Sequence, residues 1–113
     1  MKLYYIDNQP KRAELTQDGA VVYFDEEKVE IVDAETGEKV EKWNCSYARF
    51  RNHPTYGEIV SAIIGEKYDE DAQVAILANY QLDGETEEFN EFQERRKYAK
   101  AIAKEALEQL KGA

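Results

Sequence analysis

Cys45 and His53 are the one cysteine and the one histidine in a chain of 113 residues. A thiol beside an imidazole would supply a nucleophile and its base, the least machinery that covalent catalysis needs. Their settings argue for structure instead. Cys45 alternates with Trp43 and Tyr47, so on a strand all three share a face and the thiol serves as a small buried hydrophobe. His53 precedes Pro54 in a connecting turn, and no convergent partner is signalled for either residue. Neither is expected to be catalytic, and the chain is not expected to be an enzyme.

Carboxylates offer a second chemistry, cation binding. Asp83, Glu85, Glu87, Glu91 and Glu94 place acids at alternate positions with a glutamate twelfth, as a calcium loop does, but the sixth position, where that loop needs glycine, is Glu88. The stretch from Thr86 onward also has a helical pattern. These acids and the run Asp69-Glu70-Asp71 therefore read as solvated helix caps. No phosphate-binding glycine loop, paired zinc-ligand motif or nucleophile elbow occurs. No metal or cofactor is expected.

Net charge narrows the partners. The formal charge is −9, with 7 acids against 1 base between residues 54 and 85, whereas residues 86 to 113 balance 6 against 6. Without a basic stripe there is no footprint for phosphate backbones or anionic lipid, so neither nucleic acid nor membrane is an expected partner. The lone cysteine fits a reducing compartment. Four apolar residues before Asp7 are too few for a secretory leader, so the glycosylation-like Asn44-Cys45-Ser46 is discounted and the cytoplasm is the expected place of synthesis.

The elements that must position these residues divide at residues 51–54. Residues 3 to 6, then Ala13 and Leu15, then Ala20 to Phe24 beyond Asp18-Gly19 read as strands, since Asp-Gly between β-prone runs is a hairpin signal. Val29 and Ile31, then Thr36-Gly37 and Val40 to Tyr47, suggest a second hairpin. The expectation for residues 2–51 is four or five short antiparallel strands in hairpins or a meander, one face apolar and aromatic, the other rich in Glu and Lys.

Three helices should follow. Thr55 with Glu58 forms a capping box before Ile59, Val60, Ile63 and Ile64, and Gly65 marks an end, so the first helix covers about 55–65. The second covers about 70–81, capped by Asp69 or Asp71, with Val74, Leu77 and Ala78 as its stripe and Ile76 beside it. The third covers about 86–111, with acids early and bases late to suit its dipole. Its stripe is Phe89, Phe92, Arg96, Ala99, Ala103, Ala106 and Leu110, alanine-lined towards the end and suited to close approach by its own domain or by another subunit. The fold class is α+β, in a single domain with a β-rich half (1–53) and a helical half (54–113).

Contact residues come from the aromatic content of eight tyrosines, four phenylalanines and one tryptophan. Tyrosine combines an apolar ring with a polar tip. Tyr68, Tyr80 and Tyr98, lying away from the strands, are the candidate protein-contact tyrosines, together with Phe89, Phe92 and Arg96 on the last helix.

Trp43-Asn44-Cys45, His53-Pro54-Thr55-Tyr56-Gly57-Glu58 leading into Ile59 to Ile64, Ala75-Ile76-Leu77-Ala78, and the late helix with Phe89, Phe92, Arg96 and Lys100 carry a resemblance. Together they resemble small uncharacterised proteins encoded by phages and prophages of gut anaerobes, often beside tail genes. The strand-rich start and helical tail are also loosely similar to tail-fibre assembly chaperones, which are longer. The resemblance implies a non-enzymatic role in a virion or its assembly. It also implies contacts to other phage structural proteins or to itself through the last helix, with the host cytoplasm and then the virion as locations. A different class of function, an acidic inhibitor of a host nucleic-acid- or nucleotide-binding protein, is the alternative that the acidic middle segment suggests.

Overall fold

Alternating apolar residues up to Phe50 and helical spacing from Tyr56 onward build two halves of one structure, and the computed structural model describes residues 1–112. Strands β1 (Lys2–Ile6), β2 (Ala13–Leu15), β3 (Ala20–Val32) and β4 (Lys39–Phe50) form a single antiparallel sheet, followed by helices α1 (Tyr56–Lys67), α2 (Glu70–Asp83) and α3 (Glu87–Lys111). The fold is α+β. The strand order is β1-β4-β3-β2, so β2, β3 and β4 make the expected meander while β1 joins β4 at the far edge.

Gly19 closes the β2–β3 turn, where Thr16 N–H donates to the Gly19 carbonyl. The end of β4 passes so near that a Cβ at Gly19 would collide with the Phe50 carbonyl oxygen. Only glycine permits that approach.

The two strand segments expected at 20–24 and 28–31 are one strand of 13 residues, bent by a bulge. Phe24 pairs with Ser46 and Glu27 with Asn44, leaving Asp25 and Glu26 opposite Cys45. Asp25 adopts the left-handed conformation (φ 53°), which aspartate tolerates better than most residues. Because cross-strand partners share a face, Ala20, Val22 and Phe24 lie with Ser46, Ala48 and Phe50 on the side that the helices cover. The other side carries Val21, Tyr23, Cys45 and Tyr47 there, so the expected Glu- and Lys-rich face is confined to the arm beyond the bulge, where Lys28 pairs with Glu41 at 2.8 Å. The bulge shifts the register by one residue, which is why alternation read from sequence misassigns the face.

The helix starts follow their caps. Thr55 Oγ1 accepts the Glu58 N–H while Glu58 Oε1 accepts the Thr55 N–H, and the Asp69 and Thr86 side chains cap α2 and α3. Gly65 does not end α1, which runs to Lys67; glycine in a helix costs only about 1 kcal/mol relative to alanine. Ile59, Ile63 and Ile64 of α1 pack with Phe89, Phe92, Ala99, Ile102, Ala103, Ala106 and Leu110 of α3 over Val22 and Phe24. The stripe of α3 that suited either its own domain or another subunit is therefore spent inside the domain.

Arg95, and not Arg96, is the buried arginine of that stripe. Its Nη1 and Nη2 donate to the two Asp25 carboxylate oxygens at 2.6 and 2.8 Å, and its Nε and Nη2 donate to the Ile63 carbonyl at 3.2 and 2.9 Å. Tyr98 completes the cluster by accepting the Asp25 N–H at 2.7 Å. Burial works against the charge of Arg95, but its hydrogen bonds to Asp25 and that carboxylate's charge outweigh burial and hold it protonated. Removing one member of such a pair leaves the other poorly answered. Because Asp25 is partly open to water, Arg95→Leu is expected to cost about 2 kcal/mol in urea unfolding. An Asp25→Asn substitution, which removes the charge but keeps a side chain that tolerates the left-handed backbone, should add little further in that background. Additive losses in the double-mutant cycle would show that the pair is not coupled.

Candidate protein-contact surface

Cys45 and His53 are held apart in kind. Cys45 is buried mid-strand, paired with Leu3 of β1, whereas His53 is exposed in the turn between β4 and α1. Burial pushes the Cys45 thiol above its ordinary value, with nearby Glu26 adding to the shift and Arg12 opposing it. A thiol so placed is a poor nucleophile. Among the described residues no cluster of three His, Cys, Asp or Glu side chains could hold a metal ion, and no helix is long and apolar enough to cross a membrane.

The six contact candidates divide once α2 and α3 are packed. Phe89 and Phe92 are buried, and each serves as a floor for an aromatic partner: Tyr80 stacks on Phe89 at 4.0 Å and Tyr68 meets Phe92 edge-on at 5.2 Å. These contacts tie α2 and the α1–α2 junction to α3. Tyr98 is half-buried in the Arg95 cluster, its ring 5.3 Å from that guanidinium. Phe89, Phe92 and Tyr98 are thus internal residues of the fold and offer little to a partner, because the stripe of α3 faces inward. Arg96 keeps part of its surface, lying beside Phe92 and donating to Gln93 Oε1 at 2.8 Å. Tyr80 is 41% exposed around its stack. The six do not form one surface.

The outward apolar surface lies elsewhere on α2. Ile76 is the residue this helix buries, reversing the expected order in which it sat beside the stripe. Val74, Leu77 and Leu82 are 67%, 44% and 83% exposed. At 100° per residue they, with Ala78, stand on the side away from Ile76. The 3-4 spacing of Val74, Leu77 and Ala78 is visible in sequence, but an apolar stripe normally faces the core, so its outward direction is not. A second exposed group is Met1, just before the edge strand β1, with Tyr4 and Tyr5 on that strand, where Tyr5 takes a left-handed φ of 57°.

The rear of the sheet has its own polar chemistry. Tyr23 pairs with Tyr47, and its hydroxyl donates to Glu14 at 2.7 Å. Burial first, then that hydrogen bond and the charge of Glu14, push its phenol up to about 12.

No family model matches this chain, and no curated protein or solved structure matches it at a significant level.

Two outcomes check these placements. The Cys45 thiol is expected to react with a disulfide reagent at least about a hundredfold more slowly in the native protein than in urea, since it must wait for opening of the strand; equal rates would place it at the surface. The fold favours the protonated phenol of Tyr23, so its contribution to stability is complete below pH 10.0 and is lost as pH rises through about 12. Ultraviolet titration should show a late phenol that Tyr23→Phe removes. Loss instead of a phenol that titrates near 10.0 would contradict the assignment.

Proposed function

We propose that this chain is a non-enzymatic protein-contact module of a phage virion or of its assembly, acting as an adaptor or a chaperone-like component. The observation that carries the reading is the outer face of α2, where a core-forming residue pattern is turned to solvent on a folded domain. Large exposed apolar side chains gathered on one element favour a partner surface over scattered surface residues. The buried Cys45 thiol agrees with a role without bond-breaking. The phage setting is supported by the resemblance of the Trp43-Asn44-Cys45, His53-to-Ile64 and late-helix segments, and other phage structural proteins are the partners it suggests.

A second reading keeps the surface and changes the partner. The 7 acids against 1 base between residues 54 and 85 favour an inhibitor that occupies a host protein's nucleic-acid or nucleotide site. A mimic of phosphate charge would present acids along its whole face. The apolar centre of α2 favours assembly.

Quantitative mass spectrometry of purified particles and of their assembly intermediates separates the two. The chain is expected at a fixed ratio to a structural protein in one or both. Absence from both, with recovery bound to a host nucleic-acid-binding protein, would reject the assembly role in favour of the inhibitor.

A further inference from the structure

From backbone alternation and charge together, we infer that the free edge of β3 beyond its bulge pairs antiparallel with the same edge of a second copy of this chain, Lys28 of one copy standing opposite Glu30 of the other. The inference goes beyond the protein-contact reading above and does not use the outer face of α2.

The edge is open because its flanking strand is short. β2 pairs with Ala20, Val21 and Val22, and the Tyr23 N–H bond to the Arg12 carbonyl ends that ladder, while β3 runs on to Val32. From Glu27 onward β3 has β4 on one side and no strand on the other. In an antiparallel ladder successive residues turn their N–H and C=O groups alternately to the two sides. Asp33 N–H donates to the Glu38 carbonyl at 2.8 Å, on the β4 side. Glu27, Val29 and Ile31 therefore bond towards β4, and Lys28, Glu30 and Val32 turn theirs outward. Among the described residues no backbone partner reaches these outward groups.

Unpaired backbone of this kind takes a strand, and not a helix, a lipid surface or a nucleic acid. Natural edges are commonly guarded by proline, by a covering element or by lysine. Residues 27–32 contain no proline, Val32 is exposed, and the lysine is followed two residues on by a glutamate.

Those two charges select the occupant. Lys28 and Glu30 share a face, since they stand opposite Trp43 and Glu41 of β4. Glu30 and Glu41 are like charges directly across the ladder, and Lys28 bonds to Glu41, so Glu30 has no ion pair among the described residues. When two copies meet edge to edge about a two-fold axis, Lys28 of each exchanges both backbone hydrogen bonds with Glu30 of the other, and Val29 meets Val29 at the axis. Sliding one copy by two residues sets Glu30 against Glu30 or Lys28 against Lys28. Sliding it by one residue misaligns the hydrogen bonds. A strand from another protein would satisfy the backbone, but the arm's own sequence answers the backbone and both charges.

Sedimentation of the full chain across a range of concentrations should show a reversible equilibrium between monomer and dimer. The paired edges are short, so the dimer should be weak. Lys28→Glu or Glu30→Lys alone should weaken it at least about fivefold, because each change makes both cross-strand contacts repulsive, and the two changes together should restore it. Both side chains are exposed, so the melting temperature should hardly move. Glu30→Pro should abolish the dimer and keep the ladder to β4, since the Glu30 N–H faces away from β4. Val29→Cys should form an intermolecular disulfide on mild oxidation, because Cα atoms of such a pair stand about 4.5 Å apart. Ile31→Cys, displaced from its own copy along the strand, should not.

A chain that stays monomeric at millimolar concentration would overturn the inference. So would a dimer indifferent to Glu30→Pro, single charge changes that the double change does not rescue, or cross-linking through Ile31→Cys in preference to Val29→Cys. The protein-contact reading is decided separately, by whether particles or their intermediates contain the chain.

Discussion

Arg95 sits where three elements meet, and a guanidinium removed from water must have its charge and its donors answered on the spot. Asp25 supplies the charge from the sheet, and the Ile63 carbonyl supplies an acceptor from the last part of α1. The rings of Tyr98 and Phe24 flank it at 5.3 and 5.9 Å. Each requirement constrains a different part of the chain. Strand β3 must bulge at Asp25 to present the carboxylate, α1 must end close to α3, and α3 must lie low enough on the sheet for Arg95 to reach both. Alanines at 99, 103 and 106 make that low approach possible. An ion pair of this kind contributes little net stability compared with well-packed apolar residues, but a slip of register would leave the buried guanidinium without its carboxylate.

The same junction explains why α2 is held differently from its neighbours. The sheet face and the stripes of α1 and α3 are consumed around Phe24 and Arg95, and α2 packs onto what remains of α3. Ile76 and the stacked Tyr80–Phe89 pair are its anchors, helped by Gln73, whose side-chain amide donates to the Tyr68 carbonyl at 3.0 Å. Burying one isoleucine is worth about 2–3 kcal/mol. A helix of this length is marginal on its own, so α2 relies on its Asp69 cap and these few contacts while exposing a stripe that would suit a core.

What could be read from sequence was local. Thr55 with Glu58 and Thr86 announce their helices because a cap is chemistry between neighbours, and Asp18-Gly19 announces a turn for the same reason. Cys45 shows itself as a buried strand residue from its alternation with Trp43 and Tyr47. What could not be read was relational. The bulge at Asp25 depends on an arginine 70 positions away, and nothing beside Asp25 in the chain signals it. Arg95 and Arg96 are adjacent, and spacing alone cannot say which turns inward. Val74, Leu77 and Ala78 have the right period, but which side of a helix meets the core depends on how much core is left. Phe89 and Phe92 looked like contact residues for a similar reason: large rings on an amphipathic helix serve equally well inside a domain or between domains.

A firmly locked frame therefore carries one lightly anchored helix whose outward side exposes Val74, Leu77 and Leu82. Amide hydrogen exchange followed along the isolated chain tests that division most directly. The amides of α3 around Arg95 and those of α1 before Ile63 should exchange only through global opening, while those of α2 from Gln73 to Leu82 exchange at least about tenfold faster through local opening. Protection of α2 equal to that of α3 in the isolated chain would contradict the account, because it would mean that the helix is already fully held and has nothing to gain from a partner.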